Sequence, residues 1–185
     1  AARMGAKTII VEQFNCLGGV ATAGGHGHIC LYSSWGSDQR VVGGIIWEAA
    51  KRTESAGYGI CNNSNADFEV EGMKLVLEEM AEECKVDLLY HSIANEAIVD
   101  NGKIIGVVLY NKNGRQEIYA DRVIDCTGDG DIAARAGCSF EFGDEENGLC
   151  QPVTLMFTIG GVDWNKVQGF KKEYKNKYPK DQNVW

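Results

Sequence analysis

Two short apolar runs and two longer amphipathic segments set the hydrophobic pattern of this 185-residue chain. The β-branched run Thr8 to Val11 and the apolar run at residues 86–91 predict two buried strands. Within residues 67–84 the apolar positions recur at helical spacing and glutamates occupy the opposite face, which predicts an amphipathic helix. A second helix is predicted over residues 45–55, ended by Gly57.

The region that follows the second run has the pattern of a β-meander. Apolar and β-branched residues mark three strands at Ile93–Val99, Lys103–Tyr110 and Glu117–Ala120. Asn101-Gly102 and Asn113-Gly114 stand between them, and Asn-Gly pairs favour tight hairpin turns. The sequence therefore predicts a three-stranded antiparallel sheet.

The segment from Arg122 to Gly137 combines apolar residues, glycines and acids. Residues 123–126 predict a short buried strand, the Thr127–Asp131 stretch predicts a glycine turn, and an alanine-rich helix follows. Glycines allow close approach of a ligand to backbone N–H groups, and a helix N-terminus favours anionic groups such as phosphate. Asp129 or Asp131 either caps the new helix or binds a ribose hydroxyl.

The order of elements predicts an α/β fold, namely a Rossmann-like parallel sheet whose last crossover is the antiparallel meander. Residues 58–66 are expected to form a polar loop, and residues 151–161 a strand. A surface helix is expected over residues 166–178. We expect one domain over residues 1–150 and the start of a second, substrate-binding domain over residues 151–185.

Charge and cysteine usage narrow the functional class. The net charge of −8 argues against nucleic acid or an anionic membrane as partner. No apolar run reaches the length of a transmembrane helix, and the N-terminus does not resemble a signal peptide. Seven cysteines occur singly, without a CxxC pair, which argues against a disulfide framework or a metal ribbon. We expect reduced thiols in a cytoplasmic protein.

Glu12 stands at the end of the first predicted strand. An acid in that place binds the adenosine ribose in dinucleotide folds, although a surface glutamate at a strand end would look the same. The glycine fingerprint of such folds lies about 20 residues before the acid. The chain begins 11 residues before Glu12, so we expect the first βα unit to be missing. The strand Thr8 to Val11 would then expose an edge, which predicts low solubility or a homo-oligomer.

The glycine-rich loop after Glu12 ends in His26, His28 and Cys30. In an extended segment these alternate residues share a face, so one interpretation is a metal site. A second is that His26 or His28 carries a proton for catalysis, because histidine titrates near neutral pH. A third is that both histidines only bind backbone groups.

Other side chains in this half of the chain admit two interpretations each. Cys16 is either a thiol redox partner or a small packed residue. Arg40 either binds an anionic substrate or lies on the surface. We expect the aromatic rings of Tyr32, Trp35 and Trp47 to pack in the fold.

Taken together, ARMGAKTIIVEQFNCLGG, the strand and meander at residues 86–120, and RVIDCTGDGDIAARAG resemble bacterial FAD-dependent oxidoreductases of the glutathione-reductase-like superfamily. The resemblance covers residues 1–160. It implies that FAD is the cofactor, with adenine near the backbone of Ala94 to Ala97. The residues that it implies for the ribose, pyrophosphate and ribitol are Glu12, Gly18, Gly19, Gly128, Asp129 and Asp131.

The function predicted from the resemblance is hydride transfer between the flavin and a small-molecule substrate. His26 and His28 are the candidate catalytic residues in this chain. One alternative is an α/β binding or assembly module that has lost its nucleotide site. Another is a metal-dependent enzyme that uses His26, His28 and Cys30.

Overall fold

The computed structural model describes residues 1–30, 32–34, 36–37 and 39–179. Its internal contacts divide the chain into two units, Ala1–Thr154 and Leu155–Trp185. The strands are β1 (Ile9–Val11), β2 (His28–Ile29), β3 (Gly59–Cys61), β4 (Ala66–Phe68), β5 (Asp87–Leu89), β6 (Ile93–Asp100), β7 (Lys103–Asn111) and β8 (Gly114–Tyr119). The α-helices are α1 (Ile45–Ser55), α2 (Val70–Glu83), α3 (Asp131–Arg135) and α4 (Trp164–Lys177).

The first two predicted strands form a parallel pair. Strands β1 and β5 run in register, with Ile10 opposite Leu88. The connection between them contains α1 and α2, as expected for parallel strands, which need a long crossover. The pair extends one residue further, because Glu12 N donates to the carbonyl of Leu89 at 2.9 Å.

Helices α1 and α2 pack on each other to form the main core of this unit. Ala49 from α1 and Met73, Val76 and Met80 from α2 make one buried cluster, so the predicted apolar face of α2 is the buried face. The outer surface carries ion pairs instead. Glu48 of α1 binds Arg3 at 2.6 Å and Arg52 at 2.8 Å.

The predicted meander is present as β6, β7 and β8, paired antiparallel in sequence order. At the first turn Asn101 and Gly102 both have positive φ, 48° and 75°, which is the backbone that an Asn-Gly hairpin requires. The middle strand is buried, with Leu109 fully inaccessible to solvent. The predicted α/β class is confirmed, with a parallel strand pair and an antiparallel meander. In the described residues the meander is not a crossover to another parallel strand, because no strand follows β8.

The prediction of a polar loop over residues 58–66 is wrong. Strands β3 and β4 lie there and pair antiparallel, and β4 also pairs with β2. The helix expected from Asp67 accordingly begins at Val70. Ala66 and Phe68 point to one side of β4 and pack in a small apolar cluster. Two apolar residues on one face are too few for the alternation of a strand to be seen in the sequence.

Two further predicted strands are absent from the described residues. Residues 123–126 have no regular secondary structure, and Ile124 is 73% exposed. Residues 151–159 have no regular structure, and Val153 is 98% exposed. An apolar run forms a strand only where another strand offers backbone hydrogen-bonding groups to it. In the described residues no strand pairs with either of these two runs.

The unit Leu155–Trp185 contains α4, close to the helix predicted over residues 166–178. Asp163 caps its first turn by accepting from the backbone N–H of Asn165 at 3.0 Å. Within the described part of the chain, no helix has the length and apolar character needed to cross a membrane.

Candidate functional site

Glu12 follows β1 at the carboxyl end of the parallel pair. Its Oε1 atom accepts a hydrogen bond from Phe14 N at 2.8 Å, and its backbone carbonyl accepts from Ser92 N at 3.0 Å. Among the described residues its second carboxylate oxygen, Oε2, has no hydrogen-bond partner. The side chain is half-buried. The turn therefore fixes the carboxylate and leaves one oxygen free to accept a hydroxyl.

The glycine loop after Glu12 packs against helix α2. Gly18 has φ +107°, and a Cβ there would lie 2.7 Å from Thr22 and 2.8 Å from Leu77 of α2. Thr22 is itself buried and donates from Oγ1 to the carbonyl of Leu17 at 2.5 Å. Gly19, with φ +54°, has open space around the same position. Gly18 thus serves close packing, and Gly19 presents open backbone.

Two neighbouring side chains support this loop. Cys16 is 3% exposed, as the interpretation of a small packed residue predicts. At the end of β5, Tyr90 donates its hydroxyl to Glu78 at 2.8 Å. Burial, together with this hydrogen bond to a carboxylate, raises the pKa of Tyr90 to about 12, so the hydroxyl keeps its proton and stays a donor.

His26 and His28 lie where the loop returns to the small antiparallel sheet. His26 N donates to the carbonyl of Val20 at 3.1 Å, and the two imidazole rings meet edge to face at 6.1 Å between centroids. His28 lies opposite Asp67 of β4, and its Nδ1 atom is 2.6 Å from Asp67 Oδ1. Both histidines are half-buried. The loop therefore presents two imidazoles, one of them paired with a carboxylate.

The structure gives no geometric support to the metal interpretation of His26, His28 and Cys30. Within residues 1–30, 32–34, 36–37 and 39–179, no three His, Cys, Asp or Glu side chains are grouped closely enough to hold an ion. His28 is instead paired with Asp67, and the Cys30 side chain is exposed. All seven cysteines fall within the described residues, and all are free thiols.

The turn before α3 is held by Asp125, a residue that the sequence analysis did not single out. Its Oδ1 accepts from Thr127 N at 3.0 Å and from Thr127 Oγ1 at 2.7 Å, and its Oδ2 accepts from Ala133 N at 2.8 Å. Thr127 Oγ1 in turn accepts from Asp131 N at 2.8 Å. Partial desolvation acts to raise the pKa of Asp125, but these hydrogen bonds outweigh it and leave the pKa below its usual range.

The predicted ligands of this turn are open to solvent. Gly128 has φ +95°, and a Cβ there would meet no atom within 4 Å. The exposed Asp129 carboxylate has neither a hydrogen bond nor an ion pair with any described residue. Asp131 forms an ion pair with Arg135 at 3.4 Å, one helical turn further on. Asp129 is thus available to a ligand, while Asp131 already has a partner.

The predicted site residues fall into two groups. The first group lies on one continuous segment, from the end of β1 to the start of β2, and consists of Glu12, Gly18, Gly19, His26 and His28. The second group is the turn at residues 127–131, and among the described residues no hydrogen bond or ion pair joins it to the first. The sequence pattern alone indicated neither Asp67 nor Asp125 as a site residue. The spacing Asp125-Cys-Thr127 is typical of an aspartate that binds its own turn, so that signal was available, whereas the pairing of Asp67 required the strand register.

Arg40 lies over the ring of Trp47, with 4.5 Å between the guanidinium carbon and the ring centroid. Trp47 also packs edge-on against Tyr32, at 5.0 Å between centroids, so these two rings pack as predicted. Trp35 lies outside the described residues. Burial raises the pKa of Tyr32, whose hydroxyl has no hydrogen-bond partner in the described part of the chain.

Comparison with known proteins identifies the family. Residues 1–184 match the model of a family described as FAD dependent oxidoreductase. The crystal structure of THI4 from Thermovibrio ammonificans has the same fold, with a TM-score of 0.52 and 15% identity over 78% of this chain. This chain spans 59% of the length of that THI4 chain.

A flavocytochrome c3 fumarate reductase in its open conformation matches more weakly. Its TM-score is 0.30 at 18% identity, and the match covers 42% of this chain and 16% of that chain. No curated protein matches this chain. The family match spans nearly the whole sequence and agrees with the parallel pair, the meander and the fold shared with THI4. The chain therefore belongs to the FAD-dependent oxidoreductase family, whose cofactor is FAD.

Proposed function

We propose that this chain holds FAD and that the complete protein transfers hydride between the flavin and a small-molecule substrate. In this proposal the ribose binds at Glu12, and the pyrophosphate and ribitol bind along the two glycine turns. The flavin supplies the hydride chemistry, and the protein supplies binding, orientation and proton transfer. The half-buried His26 and His28 are the proposed carriers of the proton.

The observation that carries the proposal is the state of the Glu12 carboxylate. One oxygen is used by Phe14 N at 2.8 Å, which orients the group, and the other has no partner among the described residues. A ribose offers two adjacent hydroxyl donors, and a fixed carboxylate at the end of a parallel strand is a suitable acceptor for them. The free acceptor of the Glu12 carboxylate therefore fits the hydroxyl donors of the adenosine ribose in FAD.

The two glycine turns fit the remaining part of the cofactor. Gly19 and Gly128 both have positive φ, and no atom would obstruct a Cβ at either position. Open backbone at a glycine lets an anionic group approach N–H donors directly. Asp129 adds a free carboxylate that is suited to a ribitol hydroxyl.

Titration with FAD tests the proposal. We expect the purified chain to gain a visible flavin absorbance band, and Glu12→Gln to weaken FAD binding by roughly tenfold or more, because a hydrogen bond to a charged group contributes about 1.5–3 kcal/mol. Glu79→Gln, an exposed glutamate of α2, is the matched control and should bind FAD as the parent does. A folded chain that is colourless after unbound FAD has been removed would contradict the proposal and favour the non-catalytic binding module.

We also propose that the open edge of β1 favours self-association into a homo-oligomer. Among the described strands β1 pairs only with β5, and Ile9 of β1 is 41% exposed. An unpaired strand edge offers backbone groups to a second copy of the chain. Light scattering should find an oligomer, and a monodisperse monomer would contradict this proposal.

Three more expectations stay proposals. Residues 1–150 and 151–185 would divide into the cofactor domain and the start of a substrate domain. The substrate would be a small molecule rather than nucleic acid or a membrane, which the net charge of −8 supports. The seven free thiols support a cytoplasmic location. Fractionation of cells that express the protein, followed by immunodetection, tests this location.

A further inference from the structure

Asp67 faces His28 across the β2–β4 pair, in direct register. Nδ1 of His28 lies 2.6 Å from Oδ1 of Asp67. A carboxylate oxygen only accepts hydrogen bonds, so the imidazole nitrogen must be the donor. The Nδ1 proton is therefore held on the Asp67 side, and in the neutral ring the lone pair lies on Nε2.

The backbone around His28 limits the movement of this ring. His28 N donates to the carbonyl of His26 at 2.8 Å, and Phe68 N donates to the carbonyl of Gly27 at 2.9 Å. At Gly27 a Cβ would lie 2.5 Å from the carbonyl oxygen of Phe68, so only glycine lets β2 approach β4 this closely. The strand pair thus sets the distance between the imidazole and the carboxylate.

This pair contributes little to the stability of the fold. The side chains of His28 and Asp67 are 39% and 59% exposed, and exposed ion pairs contribute little to stability because solvent screens them. The main physical consequence of the contact is therefore the orientation and tautomer of the imidazole. A carboxylate that fixes the Nδ1 proton of a histidine is how proteins prepare Nε2 to accept a proton.

We propose that Asp67 is a positioning residue that makes Nε2 of His28 the proton acceptor of the reaction. The proposal rests on the proposed function, with a substrate that carries an O–H or N–H group on the carbon to be oxidised. FAD, when bound, would supply the acceptor for the hydride that leaves the substrate carbon as its C–H bond breaks. The O–H or N–H bond breaks, its electrons form the new double bond, and its proton binds Nε2. Asp67 neutralises the resulting imidazolium, which then releases the proton to water.

Nitrogen NMR of the chain labelled at histidine tests the tautomer directly. We expect neutral His28 to carry its proton on Nδ1. Asp67→Ala should lower the ratio of the Nδ1–H to the Nε2–H tautomer by about fivefold, the factor that corresponds to the upper value for an exposed ion pair. Asp67→Asn, which keeps an oxygen acceptor, should restore part of that ratio. Asp87→Asn, an exposed aspartate of β5, is the control and should change nothing.

Diethyl pyrocarbonate, which attacks an unprotonated ring nitrogen, tests whether Nε2 is available. We expect peptide mass spectrometry to find His28 modified at Nε2 in the parent chain, with His26 as the internal comparison. An Nε2–H tautomer in the parent, a ratio unchanged in Asp67→Ala, or a His28 that resists modification while His26 reacts would each overturn the proposal.

Flavin absorbance of the same samples separates this inference from the proposed function. Asp67→Ala should still bind FAD, because Asp67 is not among the residues that hold it. A chain that shows the expected tautomer and does not bind FAD would refute the proposed function and leave the positioning of His28 by Asp67 intact.

Discussion

The two halves of the candidate cofactor site hold their shape in different ways. The loop from Glu12 to Thr22 is fixed by tertiary packing: Gly18 lies against Leu77 of α2, and Thr22 is 2% exposed. The turn from Asp125 to Asp131 is exposed, and three hydrogen bonds to one carboxylate organise it. The first half therefore depends on the core, whereas the second depends mainly on its own sequence.

This difference determines what a substitution does in each half. A change that disturbs packing beneath the first loop should lower the stability of the whole unit, because the loop shares contacts with α2. A change in the second turn should alter local order and leave global stability nearly unchanged, since few buried contacts are involved.

Gly18→Ala should have the largest effect. The added methyl group would lie within 2.8 Å of Thr22 and Leu77, at a backbone φ of +107°. Overpacking and left-handed strain together should cost roughly 2–4 kcal/mol in the free energy of unfolding. Urea unfolding followed by circular dichroism measures it.

Gly19→Ala is the control for backbone strain alone. It has a positive φ of +54° but open space, so it should cost only about 1–2 kcal/mol. If the two variants unfold at the same urea concentration, the first loop is not held by packing and the contrast between the halves fails.

Asp125→Asn should have an intermediate and local effect. An amide NH2 in place of Oδ2 would face the N–H of Ala133, so one donor would lose its acceptor and the free energy of local opening of the turn would fall by about 1–2 kcal/mol. Amide hydrogen exchange at Thr127 and Ala133 should become faster, while the urea midpoint hardly moves. Asp129→Asn, a carboxylate without a partner among the described residues, is the control. Unchanged exchange in Asp125→Asn would show that something else holds the turn.

Acid should reveal the smallest effect, in the ion pairs on the outer surface of α1. Hydrogen bonds from Arg3 lower the pKa of Glu48 from 4.5 to about 2. A carboxylate with a depressed folded-state pKa stabilises the fold fully above its unfolded pKa. This contribution should therefore be complete above pH 4.5 and lost as the pH falls through about 2.

Thermal unfolding over that pH range checks the sign. Glu48→Gln should lose part of the acid-dependent fall in Tm that the parent shows between pH 4.5 and 2. Glu79→Gln, which lines the same surface as Glu48 and has no ion pair with any described residue, should retain it. Identical acid profiles for the parent and Glu48→Gln would exclude a role for this pair.

The features that the sequence predicted correctly are those with a long or local signal. Helix α1 has the predicted bounds, and the meander follows from its Asn-Gly turn at residues 101–102. Strand β4 and the absence of strands at 123–126 and 151–159 were not predicted. Those outcomes depend on whether a distant segment offers hydrogen-bonding partners, which no local pattern records.

The site shows the same division. The position of Glu12 at a strand end follows from local order, and the structure adds that Phe14 N uses one of its oxygens. The sequence pattern places Asp67 in a helix. In the structure, the pairing of β2 with β4 brings it beside His28, 39 positions away in the chain. Only the register of those strands shows that the histidine has a carboxylate beside it.

The burial of Cys16 makes its thiol a probe of local opening in the first half of the candidate site. Its thiol is 3% exposed, whereas Cys30, Cys126, Cys138 and Cys150 are open to solvent. A thiol reagent reaches a buried sulfur only during transient opening. The rate of the slow phase of alkylation therefore reports how often the loop around Cys16 opens. A ligand bound at Gly18 and Gly19 should make these openings rarer. The slow phase of Cys16 alkylation would then become slower, although the ligand does not contact the sulfur.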